Sequence, residues 1–357
     1  MIKFIHSADW HLDSPFASLQ SEEAARRREE LRTLPDRLAD YVNENRIGLV
    51  LLTGDLFDSR HVYPETLEAL SAALGRMRAK VLITPGNHDC WGKLWDEREW
   101  SDNVYIFHRN ALTTLEVGDF AFHGGAFVAA TQEENMLSGF RAAEDGKLHI
   151  GLFHGELTRQ SPYHPIDPKD VEESGLAYLA LGHIHKAGQV QLGKTLAAWP
   201  GCPEGRGFDE TGEKGFYEGE IAADGSISIR FVPFARRRYE ILTVDVTGRD
   251  AVQAAKEALG EENGENYCRV LLTGEAECVD VQAVTQALQG CARGLEVRDE
   301  TTLPRELWAR RGEDSLTGAF LRRLYERMAQ AKTKEERETV ELAARFGLGA
   351  LEGRDLG

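Results

Sequence analysis

Positive charge is what this sequence has too little of. Across 357 residues, 42 Lys and Arg stand against 59 Asp and Glu, a formal net charge of −17. A protein that grips nucleic acid with its own surface usually carries a basic stripe, because neutralising phosphates drives that affinity. The imbalance lowers the expectation of strong independent nucleic-acid binding. It leaves room for phosphodiester chemistry in which bound metal ions supply the local positive charge. Cysteine is also scarce. Cys90, Cys202, Cys268, Cys278 and Cys291 are scattered, odd in number and without a CxxC pair. That argues against a disulfide framework or a cysteine zinc site and fits a reducing compartment. No apolar run approaches the roughly 20 residues that span a bilayer. The opening MIKFIHSADWHLDS breaks its apolar run too early for a signal peptide. A cytoplasmic chain with no membrane association is therefore expected. Repeats and low-complexity tracts are missing too.

What is present is an ordinary globular composition, 42% hydrophobic and 28% charged, at a length that accommodates two or three units. IKFIH (2–6), IGLVLL (47–52) and VLIT (81–84) read as buried strands. Between them lie a helical pattern over roughly 17–45 and a helix over 64–78 that starts at Pro64. Short apolar runs follow at 104–107, 112–117, 119–123, 149–153, 177–181 and 196–199, and 216–221 with 226–232 reads as a hairpin around Asp224-Gly225. Alternating strands and helices followed by antiparallel hairpins point to an α/β sandwich of mixed sheets. After Arg236-Arg237-Arg238 the pattern changes to a small α+β unit over 239–300, and from Leu303 it becomes helical. The segment 303–357 carries 11 basic and 10 acidic side chains, so the acid excess belongs to the preceding residues.

Five short motifs follow strand ends: Asp9-Trp10-His11, Gly54-Asp55, Gly86-Asn87-His88-Asp89, His154-Gly155 and Gly182-His183-Ile184-His185. Open α/β sheets usually form their sites there. In an extended segment, residues two apart point the same way, so Asp9 and His11 are expected to reach one metal, and His183 and His185 are again two apart. Asp55 is placed to bridge two metals, Asn87 offers a neutral oxygen, and His88 is left for another task. Any one of these motifs alone reads as a polar turn. The ordered set of five, each after a strand, does not. Carboxylate, imidazole and amide oxygen suit manganese, iron or zinc. A metal pair clamps the attacking and leaving oxygens of an in-line phosphoryl displacement.

These motifs resemble those of the calcineurin-like metallophosphoesterases over residues 1–235. The resemblance implies a two-sheet sandwich flanked by helices and two divalent metal ions, with manganese favoured over iron or zinc. Asp9, His11, Asp55 and His185 would hold one ion. Asp55, Asn87, His154 and His183 would hold the other. His88 would protonate the leaving oxygen or contact the phosphate, and Asp58 would orient His88, a pairing that favours imidazolium. The wording IKFIHSADWHLDSPF and LLTGDLFDSR is similar to the DNA-repair exonuclease branch, the SbcD-like and YhaO-like nucleases. That branch implies DNA as substrate, exonuclease with or without endonuclease activity, a capping domain over 239–300, and a partner-binding region over 303–357 for an SbcC-like coiled-coil ATPase. A homodimer is implied by the resemblance alone.

Other readings stay open. A nucleotide, cyclic nucleotide or phosphoprotein substrate would keep the chemistry, and a non-catalytic scaffold would keep only the fold. His61 is a candidate substrate contact, and His164, in SPYHPIDP, a candidate border of the site. His6, His108, His123 and His149 read as structural, and Trp10 as core. In the last segment Leu316, Phe320, Leu324 and Met328, flanked by Leu321 and Tyr325, form a helical stripe that either packs at home or meets the ATPase.

Overall fold

A computed structural model describes residues 2–351. They form two compact units with the boundary after Arg238. The first unit begins with β1 (Ile2–Ser7), α1 (Ser21–Arg32), α2 (Leu34–Glu44), β2 (Leu49–Leu52), α3 (Pro64–Arg76), β3 (Lys80–Ile83), α4 (Lys93–Asp96) and β4 (Val104–Ile106). It continues with β5 (Thr113–Val117), β6 (Phe120–Gly124), β7 (Leu148–His154), α5 (Pro168–Glu173), β8 (Tyr178–Gly182), β9 (Gly188–Leu192), β10 (Thr195–Trp199), β11 (Gly215–Ile221) and β12 (Ile227–Pro233). Two six-stranded sheets result, in the orders β12-β11-β1-β2-β3-β4 and β5-β6-β7-β8-β10-β9.

The apolar runs become strands because both of their faces are covered. Successive side chains point to opposite sides, and the three short strands of the first sheet divide accordingly. Ile5, Val50, Leu52, Val81 and Ile83 pack under α1–α3 with Leu38, Val42, Leu70 and Leu74. Phe4, Leu49, Leu51 and Leu82 face the second sheet, where they meet Ile150, Leu152, Tyr178 and Ala180. The outer face of the second sheet, including Phe153, Leu179 and Leu181, is closed by Val171 of α5 and by Leu137 and Ile166. The architecture is thus mixed α/β, with two sheets face to face and helices outside.

The helical pattern over 17–45 is two helices rather than one. Pro35 has no N–H for an intrahelical bond, so α1 stops at Thr33 and α2 restarts with the proline in its first turn. The Thr33 N–H and hydroxyl both bond the Glu30 carbonyl and close the first helix.

The second unit opens with β13 (Tyr239–Asp245), α6 (Ala251–Leu259), β14 (Tyr267–Thr273), α7 (Val281–Ala287) and β15 (Gly294–Asp299). All strand pairs in this sheet are parallel, and the two helices make the crossovers. Asp250 and Asp280 cap them by accepting the amides of Gln253 and Ala283, both at 2.8 Å. Then come α8 (Arg305–Ala309), α9 (Leu316–Gln330) and α10 (Lys334–Leu351). The stripe on α9 divides. Leu324 is buried with Val340 and Ala344 of α10, and Phe320 and Met328 pack against that cluster. Leu321 is buried as well, whereas Leu316 and Tyr325 remain exposed. Most of the stripe therefore packs within its own unit. Among the described residues no helix is long and apolar enough to cross a membrane.

One polar group ties the two sheets together. His6 on β1 meets the Tyr178 hydroxyl of β8 at 2.9 Å through Nδ1, and the Thr53 hydroxyl and Leu181 carbonyl at 3.0 and 3.2 Å through Nε2. The carbonyl only accepts, so Nε2 carries a proton, and the Tyr178 hydroxyl can donate to Nδ1. Burial lowers the His6 pKa to about 3 against the Leu181 bond, which raises it. His123 and His149 are also satisfied: their rings meet at 2.9 Å, with Thr114 and Asp145 at 3.0 Å on either side.

A histidine whose folded pKa lies below its unfolded value stabilises the fold fully above the unfolded pKa and loses that contribution as pH falls. His6 alone should cost about 1.4 kcal/mol of stability between pH 7.5 and 5.5. Urea unfolding of wild type and His6→Gln at both values is expected to show a shallower pH dependence in the variant. Equal slopes would contradict this role.

Candidate metal centre

The ligand loops are laced together before any side chain is considered. Beyond β1 and β2 the backbone bonds continue: Thr53 N–H to Ser7 O, Asp9 N–H to Gly54 O, His11 N–H to Asp55 O and Leu12 N–H to Leu56 O, each 2.9–3.0 Å. Asp58 N–H then returns to Leu12 O at 2.9 Å. The path is not extended. Asp9, His11, Asp55 and His183 all have positive φ, at 53°, 46°, 51° and 85°. The simple rule that residues two apart share a face therefore does not describe Asp9 and His11. They meet because each backbone turns into the left-handed region, which is strained for these residues. Two glycines make the approach feasible. Gly54 sits at φ 87° with the His154 ring where a Cβ would be, and a Cβ on Gly182 would collide with the Thr53 carbonyl oxygen.

A buried carboxylate organises the loop ends. Asp89 Oδ1 accepts Gly86 N–H at 2.7 Å and Asp55 N–H at 3.2 Å, and Oδ2 accepts Leu56 N–H at 2.7 Å and Phe57 N–H at 3.3 Å. The sequence shows Asp89 inside a motif but does not distinguish it from a turn residue.

All seven expected ligand residues come together, in two groups. Asp9, His11 and His185 form one, and Asp55, His154 and His183 the other. Asn87 joins the second, its Oδ1 lying 3.0 Å from His154 Nε2 and 3.2 Å from His183 Nδ1. In the first group His11 Nε2 and His185 Nε2 face each other at 3.2 Å. Asp55 Oδ2 lies between the groups, 3.3 Å from His154 Nε2 and 3.9 Å from His11 Nε2. Both Asp9 oxygens accept the His183 amide, and Asp55 Oδ1 accepts that of His88.

The outer nitrogen of each imidazole decides what its inner nitrogen offers. His154 Nδ1–H donates to Thr53 O at 2.9 Å, His185 Nδ1 lies 2.7 Å from Glu210 Oε1, and His183 Nε2 lies 2.9 Å from Glu156 Oε1. His11 Nδ1 is 3.2 Å from Asp58 Oδ1. With the outer nitrogens of His154, His183 and His185 protonated toward these acceptors, their inner nitrogens present lone pairs toward two carboxylates and an amide oxygen, whereas His11 Nδ1 lies close to Asp58 without an aligned hydrogen bond. Such a set is stable only with protons or cations inside it. Electrostatics agree. Burial disfavours charge on His154, yet Asp55 and Asp9 outweigh it and raise this imidazole to about 9. Burial raises Asp9 to about 6 and lowers His11 and His183 to about 4 each. The donor set fits divalent cations that accept oxygen and imidazole nitrogen.

His88 belongs to neither of these two groups but lies beside the first, its ring centroid 4.8 Å from that of His11, and with His11 and Asp58 it makes a third cluster of possible ligand atoms. It is exposed, and its Nδ1–H donates to the backbone carbonyl of Asp58 at 2.8 Å. The expected pair with the Asp58 carboxylate is not made. That carboxylate instead lies against the Arg206 guanidinium, with Nη1 3.1 Å from Oδ1, and beside His11 Nδ1 at 3.2 Å. His61 is exposed, its backbone turned against the Ser59 hydroxyl, and belongs to neither ligand group. His164 is buried behind the site, bonded through Nδ1 to His154 O and through Nε2 to Met136 N–H, both at 3.0 Å. Trp10 is buried in the helix-side core. Glu156, Arg206 and Glu210 were not expected. They lie in loops without periodicity, and among 59 acidic residues nothing in the sequence marks the two glutamates.

Residues 2–187 match the calcineurin-like phosphoesterase family. The chain is similar to YhaO of Bacillus subtilis (strain 168), named an uncharacterized metallophosphoesterase, at 32% identity over 262 residues, covering 69% of this chain and 64% of that protein. It is also similar to the SbcD component of the nuclease SbcCD from the same organism, at 26% identity with 59% and 64% covered. A third relative is the DNA double-strand break repair protein Mre11 of Methanopyrus kandleri, at 24% identity with 69% and 60% covered. The chain spans a little under two thirds of the length of each of these relatives.

Replacing Asp89 by Asn keeps the shape and turns one acceptor into a donor that faces backbone N–H groups. Leaving such donors unpaired in the interior costs about 1–3 kcal/mol. Asp89→Asn is expected to unfold at correspondingly lower denaturant concentration; a midpoint equal to wild type would show that this carboxylate does not organise the loops.

Proposed function

The chain belongs to the calcineurin-like phosphoesterase family, and from that premise we propose that it is a two-metal DNA phosphodiesterase: an exonuclease, with or without endonuclease activity, that works in DNA repair beside an SbcC-like coiled-coil ATPase. The observation that carries the phosphodiesterase reading is the cluster of inward lone pairs with an exposed, anchored histidine at its edge. Asp9, His11, Asp55 and His185 would hold one ion, and Asp55, Asn87, His154 and His183 the other. Oxygen and imidazole donors in this mixture favour manganese over softer metals, with iron or zinc as alternatives. When bound, the ions supply positive charge that stabilises the phosphoryl oxygens in the transition state.

The chain's own residues do the rest. Asp89 and the laced loops hold the ligands in place, so little reorganisation accompanies the reaction. The Asp58 carbonyl anchors the His88 ring through Nδ1–H, and the exposed ring is placed to contact the phosphate or to give a proton to the departing sugar oxygen. DNA as the substrate is supported by the nuclease and break-repair names of two relatives. The ATPase partner is supported by the apolar surface that α9 and α10 leave open, with Leu316, Leu342 and Phe346 more than half exposed. A cytoplasmic location and a homodimer belong to the same proposal. The acid excess favours a second reading, hydrolysis of small phosphodiesters or phosphoproteins with the same chemistry.

Purified protein with manganese should degrade end-labelled DNA, and His88→Ala should lower kcat by about 10²–10⁴-fold while binding the metal as wild type does. Turnover of small phosphodiesters alone, even with the ATPase added, would overturn the nuclease reading.

A further inference from the structure

One guanidinium reaches behind both imidazoles of a single ligand group. Arg206 lies in the loop between β10 and β11. Its Nη1 donates to Asp58 Oδ1 at 3.1 Å, and its Nη2 and Nε donate to Glu210 Oε1 at 2.6 and 3.2 Å. Asp58 Oδ1 is 3.2 Å from His11 Nδ1, and Glu210 Oε1 is 2.7 Å from His185 Nδ1. His11 and His185 are the pair whose inner nitrogens meet at 3.2 Å. The other group is supported differently, His154 by the Thr53 carbonyl and His183 by Glu156.

The base of this fork is fixed independently of the ligand loops. Arg206 N–H closes a turn on Glu210 Oε2 at 2.8 Å. Arg27 of α1 holds the Gly205 carbonyl at 3.0 Å, and Arg37 of α2 holds Glu204 at 2.5 Å. Glu210 is buried, and against that burial the hydrogen bonds from His185 and Arg206 hold its pKa well below the usual carboxylate range. A planar fork with donors in two directions can satisfy two carboxylates at once, whereas an ammonium is a single point charge.

We propose that Arg206 is a positioning residue that presets His11 and His185 together, through Asp58 and Glu210, so that one of the two metal positions is held as a unit and the other is not. This rests on the two-metal reading above. Arg206 meets the outer side of the ligand group: besides the two carboxylates, its Nη2 lies 3.1 Å from His185 Nδ1, and the facing Nε2 atoms of His11 and His185 lie on the other side of the rings. Asp58 thereby acquires a role toward His11 rather than His88.

The test is a Mn²⁺ titration of the full chain followed by electron paramagnetic resonance, with wild type, Arg206→Met, Arg206→Lys and Glu210→Gln compared. Wild type is expected to bind two ions and give an exchange-coupled spectrum. Arg206→Met should weaken one binding event by about 10–100-fold, leave the other unchanged and replace the coupled spectrum with that of an isolated ion. Lysine should not restore the second ion, although it restores the charge, and Glu210→Gln should reproduce the selective loss if the methionine variant folds poorly. Two wild-type affinities in both Arg206→Met and Glu210→Gln, equal weakening of both events, or full rescue by lysine would overturn the clamp. A wild-type chain that binds no Mn²⁺ would overturn the two-metal reading itself, and the clamp with it.

Discussion

Lone pairs that face one another repel, and the first unit assembles seven such ligand residues at the ends of its strands. That electrostatic conflict is what the surrounding structure has to contain. Four of the residues sit in left-handed backbone, a conformation that costs on the order of 1–3 kcal/mol each outside glycine. Such strain persists only where neighbours over-determine it. Here the continued pairing of the β1 and β2 loops, the four amides gathered by Asp89 and the glycines at strand ends do so. The two packed cores on either side of the first sheet give these loops a rigid base.

The same conflict connects structure to chemistry. A cluster stable only when it holds positive charge is a cluster built to take cations, and a net charge of −17 is no obstacle to phosphate when the charge that matters is local. The outer nitrogens then become the variable of interest. Backbone carbonyl, glutamate and a guanidinium-linked carboxylate pair are three different supports for imidazoles that otherwise look alike.

Much of this was legible in the sequence, for physical reasons. LVLL at 49–52 is apolar at every position because its alternate residues enter two different cores. The ligands follow strand ends because only there do the loops converge. What the sequence could not express was geometry made by tertiary contact. Asp9 and His11 suggest an extended pair, yet their left-handed backbone is imposed by Gly54 and Asp55 of a distant loop. Asp58 is spaced to serve His88, but it is drawn away by Arg206, which lies 148 residues later. Pro35 should have announced the break between α1 and α2, and the long polar periodicity hid it. The stripe on α9 was visible, whereas its burial against α10 depended on a partner helix whose own pattern is weaker.

The central claim is that the two ligand groups hold cations rather than protons or water. Anomalous diffraction at the manganese edge, from crystals grown with Mn²⁺, tests it most directly. Two peaks are expected, one among Asp9, His11 and His185 and one among Asn87, His154 and His183, with Asp55 between them. Crystals that show no anomalous peak at either group, with the imidazoles still turned inward, would contradict it.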